Sequence, residues 1–222
     1  MGKRTIDVIL SALALIVLSP FFMAIMLILR FTGEGEVFYR QERIGKGDRP
    51  FKMLKFTTML KESPNMGTGL LTVKDDPRIL PVGRFLRKTK LNELPQLWNV
   101  LIGDMSIVGP RPQAEPHFRL FSQEVQRELA KVRPGLSGIG SIVFRDEENI
   151  LASAGKGAQK AYAKDIADYK GRLEVWYVHN RSFWIDLLLV FLTIWVVLLP
   201  AGNPYRRFLP GLPQNTNPDL RL

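Results

Sequence analysis

The sequence predicts a small, α-rich α/β fold: a compact cytoplasmic domain with surface amphipathic helices, held at a membrane by a re-entrant N-terminal helix. Three observations predict it. A long apolar run, Ile6 to Leu29, is interrupted at Ser19-Pro20 and carries cations at both flanks. Short extended pieces and basic helical segments follow, the ingredients of a small mixed domain. A second apolar run, Phe183 to Leu199, again lies between cations, with Arg181 before it and Arg206 and Arg207 after it. The resulting division is 1–32 for the membrane helix-break-helix, 33–180 for the cytoplasmic domain, 181–200 for a membrane-associated helix and 201–222 for a flexible tail.

The first run is about long enough, at roughly 1.5 Å per residue, to cross a hydrocarbon core of about 30 Å as a straight helix. Pro20 removes a backbone donor and crowds the preceding turn, so a bend is expected near Ser19, and neither arm alone could span. Lys3 and Arg4 precede the run, and Arg30, Arg40, Arg43 and Lys46 follow it. A straight span would carry one cationic flank across the membrane, against the tendency of Lys and Arg to stay cytoplasmic. A hairpin leaves both flanks inside. A signal anchor kinked at the proline is the alternative, since proline is tolerated in spanning helices.

After Gly33, Val37 to Tyr39 and Phe51 to Phe56 read as extended pieces around a Gly45-Lys46-Gly47-Asp48 turn. Ser63 to Gly69 reads as a plain turn. Pro81 to Leu91 reads as a basic helix and Leu94 to Ile102 as a second one, with Pro95 tolerated near its start. Ser122 to Val132 has helical spacing and stops at Pro134-Gly135. Phe183 to Leu199 follows a Ser182 N-cap. Its length is borderline for a span, and Trp184 and Trp195 favour a helix lying in the membrane plane. The tail from Ala201, rich in Pro, Gly and Asn, reads as extended.

The charge balance narrows the partners. Lys and Arg number 31 against 21 Asp and Glu, a net of +10 in 222 residues. Most of the excess lies between Arg30 and Lys90, directly after the first apolar run, as expected of a surface facing anionic headgroups. No nucleic-acid motif accompanies this charge, so no nucleic-acid partner is expected. The chain has no cysteine, which removes disulfides and thiolate zinc sites. His117 and His179 are too isolated to form a zinc pair.

The stretch Arg84 to Pro112 carries the chemistry. Arg84, Arg87, Lys88 and Lys90 precede Asn92 and Glu93, and Arg111 is locked between Pro110 and Pro112. Cations neutralise phosphoryl oxygens, and a carboxylate holds Mg²⁺ beside them, so the stretch suits a phosphate-bearing ligand with a metal ion. A solvated basic helix followed by a turn remains the bland alternative. Asp104, in Gly103-Asp104-Met105-Ser106, reads as a turn residue.

From Lys3 to about Gly140 the chain resembles a monotopic phosphoglycosyl transferase of the bacterial sugar transferase family. The resemblance rests on Lys3-Arg4 with Asp7 before the broken apolar run, on Val37 to Gly45, Lys55-Phe56, Asp76-Pro77-Arg78 and Val82 to Arg87. It continues through Glu93 to Val100, Gly103 to Pro112 and Arg133 to Gly138. It implies transfer of a phosphosugar from a UDP-sugar to undecaprenyl phosphate with release of UMP, using Mg²⁺ held at Glu93. It also implies catalytic roles for Asn92, Glu93, Arg87 and Lys55, and substrate binding by Arg111, Pro110, Pro112, Arg84 and Lys88. Ser19 and Pro20 become the membrane break, and the location becomes the cytoplasmic face of the bacterial inner membrane, among its lipids. A homo-oligomer is left open.

Two positions depart from the family pattern. Thr57 stands where an Arg of a Lys-Phe-Arg block is expected. Asn92 stands where the family has an Asp that attacks phosphorus and forms a phosphosugar-aspartyl intermediate. A neutral amide is a poor nucleophile and offers only an oxygen ligand or a hydrogen bond. Another catalytic route, an engineered knock-out and a silent membrane scaffold all fit this substitution. With Asn92 in place, Glu93 either attacks or anchors Mg²⁺ while the lipid phosphate attacks directly. From Gly140 onward the resemblance weakens, and the acidic trio Asp146-Glu147-Glu148 reads as a solvated loop or a partner for the basic helix.

Overall fold

A computed structural model of the chain describes residues 2–67, 69, 71–153, 158–199, 205–209 and 211–216. Helix α1, Gly2–Arg30, is followed by a hairpin of β1, Phe38–Ile44, and β2, Pro50–Phe56, paired antiparallel so that Tyr39 lies opposite Lys55. The turn between the strands takes positive φ at Gly47 and Asp48, as the Gly-Lys-Gly-Asp sequence anticipates. Helices α2, Pro81–Lys88, and α3, Gln96–Ile102, come next. A two-stranded parallel sheet joins β3, Ser106–Val108, to β4, Gly135–Ser137. Between these strands lie α4, Glu115–Phe118, and α5, Gln123–Ala130. Ser122 caps α5, its Oγ accepting the Val125 N–H.

The C-terminal part is helical: α6, Ile139–Val143; α7, Glu147–Ser153; α8, Ala158–Ala161; a π-helical turn, Tyr162–Ile166; and α9, Ala167–Asn180. It ends in α10, Phe183–Leu198, and α11, Tyr205–Phe208. Ser182 caps α10 through the Ile185 N–H at 3.2 Å. The main core gathers Phe118, Phe121, Leu129, Ile139, Leu173, Tyr177 and Leu192, from α4–α6 with the turn after α4, and from α9 and α10. An α-rich α/β fold with small sheets is therefore what the chain adopts.

Three expectations change. First, α1 is helical through Ser19-Pro20 without interruption. Pro20 cannot donate to the carbonyl four residues earlier, but the Ser19 hydroxyl donates to that same Ile16 carbonyl at 2.8 Å. The vacated acceptor is satisfied locally, so the chain stays helical through the proline and a bend there needs no unwound segment. Second, the basic helix stops at Lys88 rather than Leu91, because Lys90 turns left-handed, with φ 60°. Third, part of the supposedly extended tail is packed: Tyr205 and Leu209 are buried in the main core, their aromatic and aliphatic surface outweighing the polar composition around them. Residues 201–204, 210 and 217–222 of that tail lie outside the described residues, as does Pro200 before it.

Both ends of α1 rest on the folded domain. At its start, Arg4 donates to the Val100 and Leu101 carbonyls at the C-terminal end of α3, at 2.5 and 2.8 Å. Asp7 is buried; its carboxylate accepts from Ser106 Oγ at 2.8 Å and the Ile107 N–H at 3.1 Å. Lys3 pairs with Asp186 of α10. At the other end, Ile25 and Leu29 pack with Phe56 and Leu86. Between the two, Leu13, Ile16, Val17 and Phe21 are exposed. The helix is long and apolar enough to cross a membrane.

Candidate active site

A cavity of about 1330 Å³ opens where β2, α2, the turn after α2, α6, α7 and α10 meet. Lys55, Arg84, Arg87, Lys88, Asn92, Glu93 and Arg111 all line it. Every catalytic or binding residue expected from the sequence is thus at this one place, except Pro110 and Pro112, which flank Arg111, and Ser19 and Pro20, which stay on α1. Gly83 helps set α2 here, since a Cβ at this position would lie 2.1 Å from the Thr58 carbonyl oxygen. Only a glycine lets the helix approach the end of β2 so closely.

Asn92 and Glu93 sit on a 3₁₀ turn, Leu91–Glu93, aimed by the left-handed Lys90 that precedes it. Glu93 Oε1 accepts from Arg111 Nη2 at 3.1 Å and lies 3.6 Å from Lys55 Nζ. Burial alone would raise the Glu93 carboxyl, but Arg111, Lys55 and Lys90 outweigh it and hold the group well below the usual carboxylate range. Lys55 is pushed down to about 7, chiefly by burial, with Glu93 opposing and Arg111 and Arg43 adding to the fall. Arg111 is raised by Glu93. Its second arm, Nη1, donates to Ser141 Oγ at 3.2 Å, and its backbone N–H donates to Glu174 Oε1 at 3.0 Å. Asn92 is 5% exposed, and its Oδ1 has no hydrogen-bond partner.

The acidic trio is a partner for the cations and not a loose loop. Glu148 pairs with Arg87, Glu147 with Lys170 at 2.6 Å, and Asp146 with Arg145 at 2.9 Å. Thr57, in the place expected for an arginine, lines the cavity with its buried hydroxyl unpartnered. Positive charge reaches the cavity instead from Arg43 on β1 and Lys170 on α9. Arg43 is lowered to about 10, by burial and then by Arg111, so it too sits among like charges. Asp104 lies in its expected turn, where Asn99 Nδ2 donates to it at 3.2 Å.

Sequence reasoning missed Arg43, Lys170, Glu147 and Glu174 as members of this site. Arg43 lay inside a quoted motif and so carried a usable signal. Lys170 and Glu174 carried none, being charged residues on a helix far along the chain that happen to be buried. Among the described residues, no cluster of three or more His, Asp or Glu is placed to hold a metal ion. The oxygen set at the turn, one carboxylate plus the unpartnered Asn92 Oδ1, still suits Mg²⁺, which takes one or two protein oxygens and completes its shell with substrate phosphate and water.

Comparison with known proteins places these features in company. A family model described as bacterial sugar transferase matches residues 1–200. The exopolysaccharide production protein ExoY of Sinorhizobium fredii is 38% identical over 216 residues, covering 91% of this chain and 88% of that protein. The UDP-glucose:undecaprenyl-phosphate glucose-1-phosphate transferase of Escherichia coli is 36% identical over 195 residues, 86% of this chain and 39% of the longer relative. The undecaprenyl-phosphate galactose phosphotransferase of Salmonella typhimurium is 34% identical over 217 residues, 90% of this chain and 41% of its own length.

Proposed function

The chain belongs to the bacterial sugar transferase family, and on that premise we propose that it moves a sugar 1-phosphate from a UDP-sugar to undecaprenyl phosphate and releases UMP. The observation that carries the proposal is the convergence of Lys55, Arg87 and Arg111 on the Asn92-Glu93 turn within one cavity. Such a cluster fits a diphosphate, whose charge it neutralises while holding the reacting groups in line.

Asn92 decides the route. An amide cannot serve as the attacking group, and Glu93, an ionised carboxylate paired through Oε1 with Arg111 and Lys55, is assigned to anchoring Mg²⁺ rather than to attack. The lipid phosphate therefore attacks directly: one of its oxygens forms a bond to the sugar-bearing phosphorus as the bond from that phosphorus to the UMP oxygen breaks. The electron pair leaves with UMP, and no proton moves. Arg111, gripped from both arms and from its backbone, keeps its guanidinium against the diphosphate. Mg²⁺, held through Glu93 and Asn92 Oδ1, supplies further neutralisation of the phosphoryl charge when bound.

The same proposal includes attachment to one leaflet. Arg4, Asp7, Ile25 and Leu29 all bind the one folded domain, which supports a helix that enters and leaves the membrane on the domain's side. A crossing would have to pull one of these ends away. The lipid acceptor gives the attachment its purpose, because its phosphate lies at headgroup level.

UMP release from a panel of UDP-sugars, with Mg²⁺ and undecaprenyl phosphate, tests the proposal. The unaltered chain should release UMP with at least one sugar, and Glu93→Gln should abolish it. Release only after Asn92→Asp would mean that this chain is a silent member of its family.

A further inference from the structure

The cavity does not end at its charged groups. One of its walls is α10, which contributes Val190, Thr193, Ile194, Val196 and Val197. All but Val196, which is buried toward the core, recur at i, i+3, i+4 and i+7 and so form one stripe. At about 100° per residue, this stripe lies between two others on the same helix. Leu189, Leu192 and Val196 form the stripe buried in the core, and Leu187, Phe191 and Leu198 form the outward one. Ile194 and Val197 are 54% and 40% exposed, so the cavity wall runs round the helix into the outward face without a polar break.

The apolar wall is joined to the phosphate-binding end by a short chain of contacts. Arg111 Nη1 bonds Ser141 of α6, and four residues earlier, at the end of β4, Ser137 Oγ bonds Thr193 Oγ1 at 2.5 Å. The Thr193 hydroxyl also donates to the Leu189 carbonyl, so its polar atom is satisfied and its methyl is what remains for the cavity. Ile107 and Leu136 line the same space. A sugar or a uracil needs hydrogen-bonding partners, which this wall lacks. A molecule with an anionic head and a hydrocarbon tail matches both ends.

We propose that the Val190, Ile194 and Val197 stripe of α10 seats the first isoprene units of the lipid-phosphate acceptor, with its phosphate at the Arg111 and Lys55 end of the cavity. The stripe is about 10 Å long, and beyond it, past Val197, the tail leaves α10 for the bilayer. This rests on the transferase reading above, and it names the part of the site that reads the acceptor rather than the donor.

Two measurements on the full chain test it. In the first, acceptor and donor kinetics are compared for Ile194→Ser with Val197→Ser, for the conservative Ile194→Val, and for Leu187→Ser on the outward face. The double variant should raise the KM for undecaprenyl phosphate about tenfold, the effect of losing contact with a few buried CH₂ groups. Its KM for the UDP-sugar should not change; Ile194→Val, which keeps most of the apolar surface, should raise the acceptor KM far less, and Leu187→Ser should behave as the unaltered chain. In the second, geranyl phosphate carrying a diazirine is photocrosslinked to the protein and the adducts are located by mass spectrometry. Adducts on Val190, Ile194 or Val197 that undecaprenyl phosphate competes away support the seat, even if no UDP-sugar gives UMP, in which case the transferase reading fails alone. Adducts confined to Leu187 and Phe191, or an unchanged acceptor KM in the double variant, overturn the seat while leaving the transferase reading intact.

Discussion

Replacing Glu174 with glutamine should make the stability of this protein less dependent on pH. Glu174 is 1% exposed; Oε1 accepts the Arg111 N–H and Oε2 has no hydrogen-bond partner. Gly138 and Gly140 run close past it, and a Cβ on Gly140 would lie 2.2 Å from Oε1. Burial pushes the carboxyl from an ordinary 4.5 up to about 7, against smaller opposing effects of the Arg111 N–H, Lys170 and Arg111. Between those two values the folded chain holds a proton that the unfolded chain has released. Stability should therefore be full below about pH 4.5, fall as pH rises to about 7, and stay low above it. The gap corresponds to about 3 kcal/mol. Glutamine keeps an acceptor for the Arg111 N–H and cannot ionise, and any cost of its unpartnered NH₂ is the same at every pH. Thermal unfolding in detergent should show the difference between Glu174→Gln and the unaltered chain growing in the variant's favour by several degrees from pH 5 to pH 8. A difference that is constant across that range would refute the assignment of a raised, buried carboxyl to Glu174.

Two other perturbations probe the site and its anchorage. Arg111→Lys retains a charge but cannot reach Glu93 and Ser141 with two arms, so kcat/KM for UMP release should fall by about a hundredfold; a change under threefold would remove Arg111 from the phosphate-binding role. Asp7→Asn should loosen the start of α1, because the amide replaces one of the two accepting oxygens with an NH₂ and loses the charge that strengthens the bonds from Ser106 and the Ile107 N–H. The expected loss is about 1–3 kcal/mol, read as faster proteolysis between α1 and β1 in detergent, and unaltered proteolysis would show that the contact does not hold the helix down.

Much of the architecture was legible because apolar runs and turn residues carry local information. The Gly45 to Asp48 turn, the Ser182 cap and the apolar runs of α1 and α10 all appear where the residues predict them. The charged stretch located Glu93 and Arg111 together, and the family resemblance added Lys55, 56 positions before Arg111. What failed was local pattern overridden by tertiary context. In α9 the buried positions include Lys170, Gly171 and Glu174 as well as Leu173 and Tyr177, so its inward face does not read as apolar. The break expected at Pro20 required knowing that the neighbouring serine would take the carbonyl left without a donor. Tyr205 and Leu209 are two anchors in a segment whose composition otherwise argues for extension. The Lys3, Arg4 and Asp7 group, visible as charges flanking an apolar run, proved to bind the domain itself, a role that periodicity cannot express.

The most direct test of the account is whether UMP release by the unaltered chain requires the lipid acceptor. Purified protein is mixed with its active UDP-sugar and Mg²⁺, with and without undecaprenyl phosphate, and UMP is followed through the first turnover. Direct attack by the lipid phosphate predicts UMP only when the acceptor is present, with no early burst in its absence. One equivalent of UMP released without acceptor would contradict it, since the sugar phosphate would then have been passed to a group on the protein itself.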